Sequence, residues 1–248
     1  MYLNINFLKK IIPRSILLKY EDFFRFFYYQ VYRGKNFECN ICGKKLRKFL
    51  QAGEIEKLCP NCGALSRTRR LWNLLTSDFF SENIEILDFS PSRSIYKQFR
   101  KNTSYKNIIY TSSVYSDDFL GDVKYNITNI NCEDNKFDLI ICYHILEHIE
   151  DDNQAMRELY RVLKRGGTCI IQTPFAEGEI QEDLTIKSKA ERLKYYGQED
   201  HVRIYSVCEL KNRLKKANFE VDIRQFTESD NNKFGFSTEE KILICKKN

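Results

Sequence analysis

FDLIICYHILEHIEDDNQAMRELYRVLKRGGTCIIQTP, residues Phe137 to Pro174, decides how the rest of the chain is read. Leu139–Cys142 is a short apolar run of the kind buried on both faces of a parallel sheet. Asp151 and Asp152 suit the positive end of a helix, where a side-chain oxygen caps the free N–H groups. Ala155, Met156, Leu159, Val162 and Leu163 then recur at helical spacing and give one apolar face. Lys164 and Arg165 complement the negative end, and Gly166-Gly167 stops the helix. Thr168–Thr173 is a second apolar run, halted by Pro174. Strand, helix and strand in this order make the right-handed βαβ unit of a parallel sheet.

Two contiguous pieces of this stretch carry a family likeness. His144-Ile145-Leu146-Glu147-His148 ends the first strand, and Glu158-Leu159-Tyr160-Arg161-Val162-Leu163-Lys164-Arg165-Gly166-Gly167 spans the helix and its stop. In that context the segment resembles the second half of the class I S-adenosylmethionine (SAM)-dependent methyltransferases of the broad bacterial type. The resemblance extends over about residues 84–248. It implies an α/β fold with a Rossmann-like seven-stranded sheet, SAM as cofactor, and methyl transfer as the activity.

The same resemblance nominates site residues. Glu85–Phe89 reads as the first strand and brings Asp88 to the cofactor side. Ser90-Pro91-Ser92-Arg93-Ser94 stands where the family has Gly-x-Gly-x-Gly, so Ser90, Pro91 and Ser92 would lie against SAM, at a higher cost for any positive φ. Ser112-Ser113 replaces the acid that usually binds the ribose; Ser113 offers one hydrogen bond, and Asp117 and Asp118 can substitute if the loop folds back. Asp122–Thr128 resembles the third strand, with Asn126 and Ile127 in the adenine positions and the usual following helix reduced or absent. Tyr143 and His144 sit at the carboxyl end of the fourth strand, where open α/β sheets bind ligands. Glu147 and His148 read as anchors of that loop.

Residues 175–200 are a polar insertion placed to act as a substrate lid. Beyond it, Asp200 beside His201 can tune an imidazole as general base, with His144 the other candidate. Arg203 and Tyr196 are candidate substrate contacts; pinning the lid to the sheet is the structural alternative for His201 and Arg203. Ser206-Val207-Cys208-Glu209 fits a capping box before a helix carried by Leu210, Leu214 and Ala217. Phe219–Phe226 and Lys241–Cys245 read as the closing strands.

Upstream, Cys39-x-x-Cys42 and Cys59-x-x-Cys62 have the spacing of a four-thiolate zinc site, and each motif is followed by Gly. Four thiolates leave Zn2+ no open position, so the metal would be structural, holding a ribbon too small to fold alone. The nine cysteines are an odd number, and Cys142, Cys169 and Cys245 fall in apolar strands as core residues. With no leader-like start, a cytoplasmic setting is expected.

Residues 1–70 hold 15 Lys/Arg against 5 Asp/Glu in a chain of net charge +6, so the front is basic and the remainder acidic. A basic front suits a membrane surface, a polyanion or nucleic acid, or is simply a solvated face. Pro13 is placed to start a helix to about Tyr32, with Ile16, Leu17, Tyr20, Phe23, Phe24, Phe27 and Val31 on one face. That stripe either docks on protein or lies at the inner face of the membrane as a peripheral contact. Ser66 begins another helix, in which Arg67, Arg69 and Arg70 grip an anion or line a solvated turn.

The domain expectation is a basic helical segment over 1–35, a zinc ribbon and linker helix over 36–80, and the methyltransferase domain over 81–248. The functional expectation is O-methylation of a small or glycan-type acceptor. The alternatives are an RNA methyltransferase that uses its ribbon, a catalytically inactive SAM-fold scaffold, and a membrane-associated adaptor.

Overall fold

The computed structural model describes residues 14–53, 55–115, 121–228 and 232–248. Asp117 and Asp118 lie outside the described residues. The chain forms two compact units, one from residues up to Ser77 with Arg93–Ile95 and Thr227–Thr238, the other from Asp78–Ser92, Tyr96–Phe226 and Glu239–Asn248.

Among the described residues the first unit opens with helix α1 (Arg14–Tyr32). Tyr29 and Tyr32 are buried, while Tyr20, Phe23, Phe24, Phe27 and Val31 are each 48–59% exposed, so the aromatic stripe is not covered by the described residues. Two short antiparallel hairpins follow: β1 (Arg33–Glu38) with β2 (Lys45–Leu46), and β3 (Leu50–Ala52) with β4 (Glu56–Leu58). Helix α2 (Ser66–Leu74) closes the ribbon.

Arg69 holds this unit together. Its side chain is fully buried, lies 3.9 Å over the Phe49 ring, and donates to the carbonyls of Lys57 (3.0 Å), Ala64 (2.6 Å), Phe234 (2.6 Å) and Gly235 (2.5 Å). Neighbouring Arg67 pairs with Glu56 at 2.8 Å, and Arg70 pairs with Glu228 and lies over Phe236. Arg67 and Arg70 thus grip carboxylates of the protein itself, and Arg69 grips backbone carbonyls; Arg67 keeps about a third of its side chain exposed.

In the second unit β5 (Glu85–Phe89), α3 (Arg93–Lys101), β6 (Ile109–Ser113), β7 (Phe137–Tyr143), α4 (Asp152–Val162) and β8 (Leu163–Gln172) follow in order. The insertion holds β9 (Gln181–Glu182), α5 (Lys189–Tyr196) and β10 (Arg203–Ile204), before α6 (Val207–Lys216), β11 (Glu220–Thr227) and β12 (Glu239–Lys246). The sheet order is β11-β12-β8-β7-β5-β6, with β6, β5, β7 and β8 parallel and β12 antiparallel to β8.

The α/β class holds, and among the described residues the sheet has six strands, where seven were expected. The segment read as the third strand runs beside the end of β6, joined to it by the parallel bridge Ser113–Val123 and by the Val123 N–H, which donates to the Ser112 carbonyl at 3.1 Å, but it forms no strand among the described residues. Asn126 then turns back onto Asn129, and no helix follows among the described residues. Asp151 caps α4 by accepting the Gln154 N–H at 3.0 Å, and Ser206 accepts the Glu209 N–H at 3.2 Å at the start of α6. The core joins Leu87, Ile140 and Ile171 of the sheet to Met156 and Leu159 of α4 and Leu210 of α6. Cys142, Cys169 and Cys245 are wholly buried there, and burial pushes each thiol well above its ordinary pKa.

Replacing Arg69 with Met keeps bulk but orphans four carbonyls. Arg69→Met is expected to cost about 3 kcal/mol or more in denaturant unfolding; a loss below about 1 kcal/mol would remove Arg69 as the tie.

Candidate functional site at the carboxyl rim of the sheet

The chain leaves β5 toward β6 on one side and re-enters as β7 on the other. A reversal of this kind opens a crevice at the carboxyl ends of the two strands. Ser90 follows β5 with φ +49°, and His144 follows β7 with φ +56°. Both are left-handed, a conformation costing a residue with a Cβ about 1–2 kcal/mol. Each turn is tied to the strand on its outer side. The Ser90 N–H donates to the Ser113 carbonyl at 2.7 Å, and the His144 N–H donates to the Gln172 carbonyl at 2.8 Å.

Several rim groups await a partner. His144 Nε2, Gln172 Oε1 and Thr173 Oγ1 are buried without a hydrogen bond. Gln172 and Thr173 were not foreseen from sequence; their place at the end of β8 is the signal. Tyr143 donates its hydroxyl to Glu240 at 3.2 Å. Ser113 is buried, and its Oγ accepts the Tyr125 N–H at 3.1 Å. Asp122 Oδ2 accepts the Ser112 hydroxyl at 2.8 Å and its N–H at 2.9 Å, and pairs with Arg100. Asn126 is exposed and closes a local turn with Thr128, whereas Ile127 is buried in the core. Pro91 and Ser92 are half-buried beside exposed Ser90.

Asp88 points into the sheet's packing. It is 2% exposed, accepts the Tyr110 hydroxyl at 2.9 Å, and is pushed up to about 7 by burial, against the opposing hydrogen bond from Tyr110.

The histidines gather beside the rim. His144 Nδ1 stands 3.3 Å from Glu147 Oε1. Glu147 is fully buried; burial works to raise its pKa, but His144 and other neighbours outweigh it and the net direction is down. His148 and His201 meet edge to face with centroids 4.7 Å apart. His201 is 3% exposed, and burial and then His148 lower its pKa. Asp200 lies at 3.3 Å from His148 Nδ1, with its carboxylate and with its carbonyl, so its direct partner is His148 rather than His201.

Arg203 is 1% exposed. It donates to the carbonyls of Leu146 (3.1 Å), Ile149 and Glu150 (2.9 Å) and pairs with Glu182. Those contacts pin the insertion to the loop after β7. Tyr196 is likewise buried, its hydroxyl accepting the Asp183 N–H at 2.9 Å. A cleft of about 260 Å³ beside Arg203 is lined by Asp152, Glu182, Leu184 and Arg213. Its charges pair with one another, Arg213 to Asp152 at 2.7 Å and to Glu182 at 2.6 Å.

In the first unit the four cysteines sit on two matching turns. Gly43 N–H donates to Cys39 and Gly63 N–H to Cys59, with both glycines at positive φ. Sulfur separations of 3.6 Å (Cys39–Cys62) and 3.8 Å (Cys42–Cys59) match the edge of about 3.8 Å that a tetrahedron with metal–sulfur bonds of about 2.3 Å requires. The donor set fits Zn2+.

A family model described as "Methyltransferase domain" matches residues 53–222, more than half of the chain. A tRNA U34 carboxymethyltransferase of Sulfurovum sp. is 26% identical over 151 residues, 60% of this chain and 44% of that protein. The chain thus spans less than half the length of that curated relative. Among solved structures, a SAM-dependent methyltransferase from Archaeoglobus fulgidus superposes with TM-score 0.50 at 16% identity, covering 73% of this chain and 91% of that one. Phosphoethanolamine N-methyltransferase 2 of Haemonchus contortus, in complex with phosphomonomethylethanolamine and S-adenosylhomocysteine, gives TM-score 0.50 at 14% identity, covering 72% and 52%. At these identities the likeness to solved structures is one of fold.

Because Asp88 holds a proton in the folded state up to about pH 7, against 3.8 unfolded, its contribution to stability is full below about pH 4 and falls as pH rises to 7. The fall is up to about 1.4 kcal/mol per pH unit. Asp88→Asn keeps an acceptor for Tyr110 and is expected to remove that slope in denaturant melts at pH 5 and 7. Parallel profiles for the two proteins would mean that Asp88 is ionised in the fold.

Proposed function

The chain belongs to the methyltransferase-domain family, and on that premise we propose that it transfers a methyl group from SAM to an oxygen of a small or glycan-type acceptor. The reading is carried by one observation: two left-handed, side-chain-bearing residues, Ser90 and His144, flank the crevice between β5 and β7. Such strain persists where the surrounding structure enforces it, and it clusters at ligand sites. The partnerless Nε2 of His144, Oε1 of Gln172 and Oγ1 of Thr173 support a polar ligand there.

When bound, SAM supplies an electrophilic methyl group on a sulfonium sulfur. The Ser90–Ser92 turn would hold its methionine end, and the Ser113 hydroxyl its ribose. Ile127 is buried in the core, so its contact with the adenine would be by an edge. His144 is oriented by Glu147 through Nδ1, which leaves Nε2 to accept the proton of an acceptor hydroxyl. The remainder of the rate would come from holding the acceptor oxygen in line. Tyr196 and Arg203 would shape the acceptor side by fixing the insertion rather than by touching the acceptor. The four thiolates would hold one structural Zn2+.

An RNA acceptor is the second reading, favoured by the similarity to the Sulfurovum tRNA U34 carboxymethyltransferase. Against it stands Arg69, whose guanidinium is saturated by carbonyls, while Arg67 and Arg70 pair with Glu56 and Glu228. Peripheral membrane contact is supported by the exposed stripe of Phe23, Phe24 and Phe27. No described helix is long and apolar enough to cross a membrane.

Calorimetric titration is expected to give a Kd for SAM tighter than about 1 mM. Ser90→Gly should bind at least as well as wild type, since Gly adopts positive φ without strain. Ser90→Val, with its branched Cβ at +49°, should bind at least tenfold more weakly. Absence of binding by all three proteins would leave the scaffold reading. Under the RNA reading, tRNA affinity must fall steeply with salt; an affinity that is absent at low salt rules it out.

A further inference from the structure

The chain has three histidines, and all three stand in the small region where the β7 exit meets the end of the insertion. We propose that Glu147, His148 and His201 form a second metal centre, distinct from the four cysteines, that takes a first-row divalent cation such as Zn2+.

The ligand atoms of these three residues lie within 4.8 Å of one another. Two metal–ligand bonds of about 2.1 Å span at most about 4.2 Å, so a small side-chain rotation closes the set. Two imidazoles and one carboxylate are a donor set that binds Zn2+ with a position left open. His148 remains partly exposed, its side chain 29% accessible, so that position is reachable from solvent.

The surrounding contacts are those of a built site. A metal-bound imidazole ordinarily gives its other N–H to an oxygen, which fixes the tautomer. His148 Nδ1 faces the Asp200 carboxylate and carbonyl at 3.3 Å, leaving Nε2 for the metal. His201 is 3% exposed and meets the His148 ring edge to face, 4.7 Å between centroids, which holds both imidazoles beside Glu147. Glu147 is the sharpest sign. Its side chain is 1% exposed; among the described residues its ion partner is His144, whose Nδ1 stands 3.3 Å from Oε1, and Oε2 has no hydrogen bond. A buried carboxylate so weakly satisfied is costly, and a divalent cation satisfies it. The backbone already joins the two halves, since the Val202 N–H donates to the Glu147 carbonyl at 2.8 Å. The metal would lock the end of the insertion to the β7 exit, beside the proposed crevice.

The histidine count makes the test direct. Full-length protein, stripped of metal and then given ZnCl2, is followed by long-range proton–nitrogen spectra of its imidazole rings. One equivalent should fill the cysteines. Between the first and second equivalents, the ring nitrogens of His148 and His201 should move to coordinated positions, while both His144 nitrogens stay uncoordinated. Plasma mass spectrometry should count two zinc ions per chain after dialysis. Glu147→Gln and, as a more exposed change, His148→Gln should each weaken the second site at least tenfold and leave the first intact. A count of one, with unmoved ring signals at millimolar zinc, overturns the proposal. So does a shift that survives both substitutions, which would mark surface binding only. None of these readouts depends on SAM binding or turnover.

Discussion

Two parallel strands that leave a sheet side by side cannot both continue straight without closing the space between them. In this protein β5 and β7 turn aside within one residue, through Ser90 and His144, and each turn is tied outward, to Ser113 or to Gln172. The left-handed backbone costs about 1–2 kcal/mol at each position. Burial of Leu87, Ile140 and Ile171 between the helices over-determines the strands and offsets that cost. The orphaned polar atoms of His144, Gln172 and Thr173 lie at this divergence, and the histidine cluster lies beside it.

The insertion shows how charge can serve position rather than binding. Arg203 and Arg213 are surrounded by Asp152, Glu182 and a run of backbone carbonyls, so the insertion is anchored by largely buried ion pairs. Pairs of this kind add little net stability compared with apolar packing, but removing one partner strands the other. Their effect is geometric: they fix where His201 stands relative to Glu147 and His148. In the other unit Arg69 plays a comparable part, saturating the carbonyls of segments that have no regular hydrogen-bond ladder to join.

Much of the fold was legible because it rests on local chemistry. The alternation of apolar runs with Asp151-capped and Ser206-capped helices gave the βαβ order, and the paired Cys-x-x-Cys-Gly turns gave the four-sulfur cluster. The third strand is cut short because Asp122–Thr128 pairs with the end of β6 at Val123 and then turns back at Asn126 onto Asn129. The partners of Arg67–Arg70 were likewise not legible. A run of arginines looks the same in sequence whether it faces solvent or the carbonyls of residues 57, 64, 234 and 235.

By itself the sequence determined the sheet-and-helix order and the sulfur cluster, because hydrophobic period, capping and ligand spacing act over a few residues; Ser90, Ser113 and His144 were nominated by the family resemblance, on the motifs that carry it. Only tertiary structure decided what those side chains face. Asp200 turns to His148, Arg203 to buried carbonyls, Asp88 to Tyr110, and Glu147 to imidazoles from both ends of the insertion. Partners separated by tens of residues meet through packing of the whole unit, and no local pattern encodes that meeting.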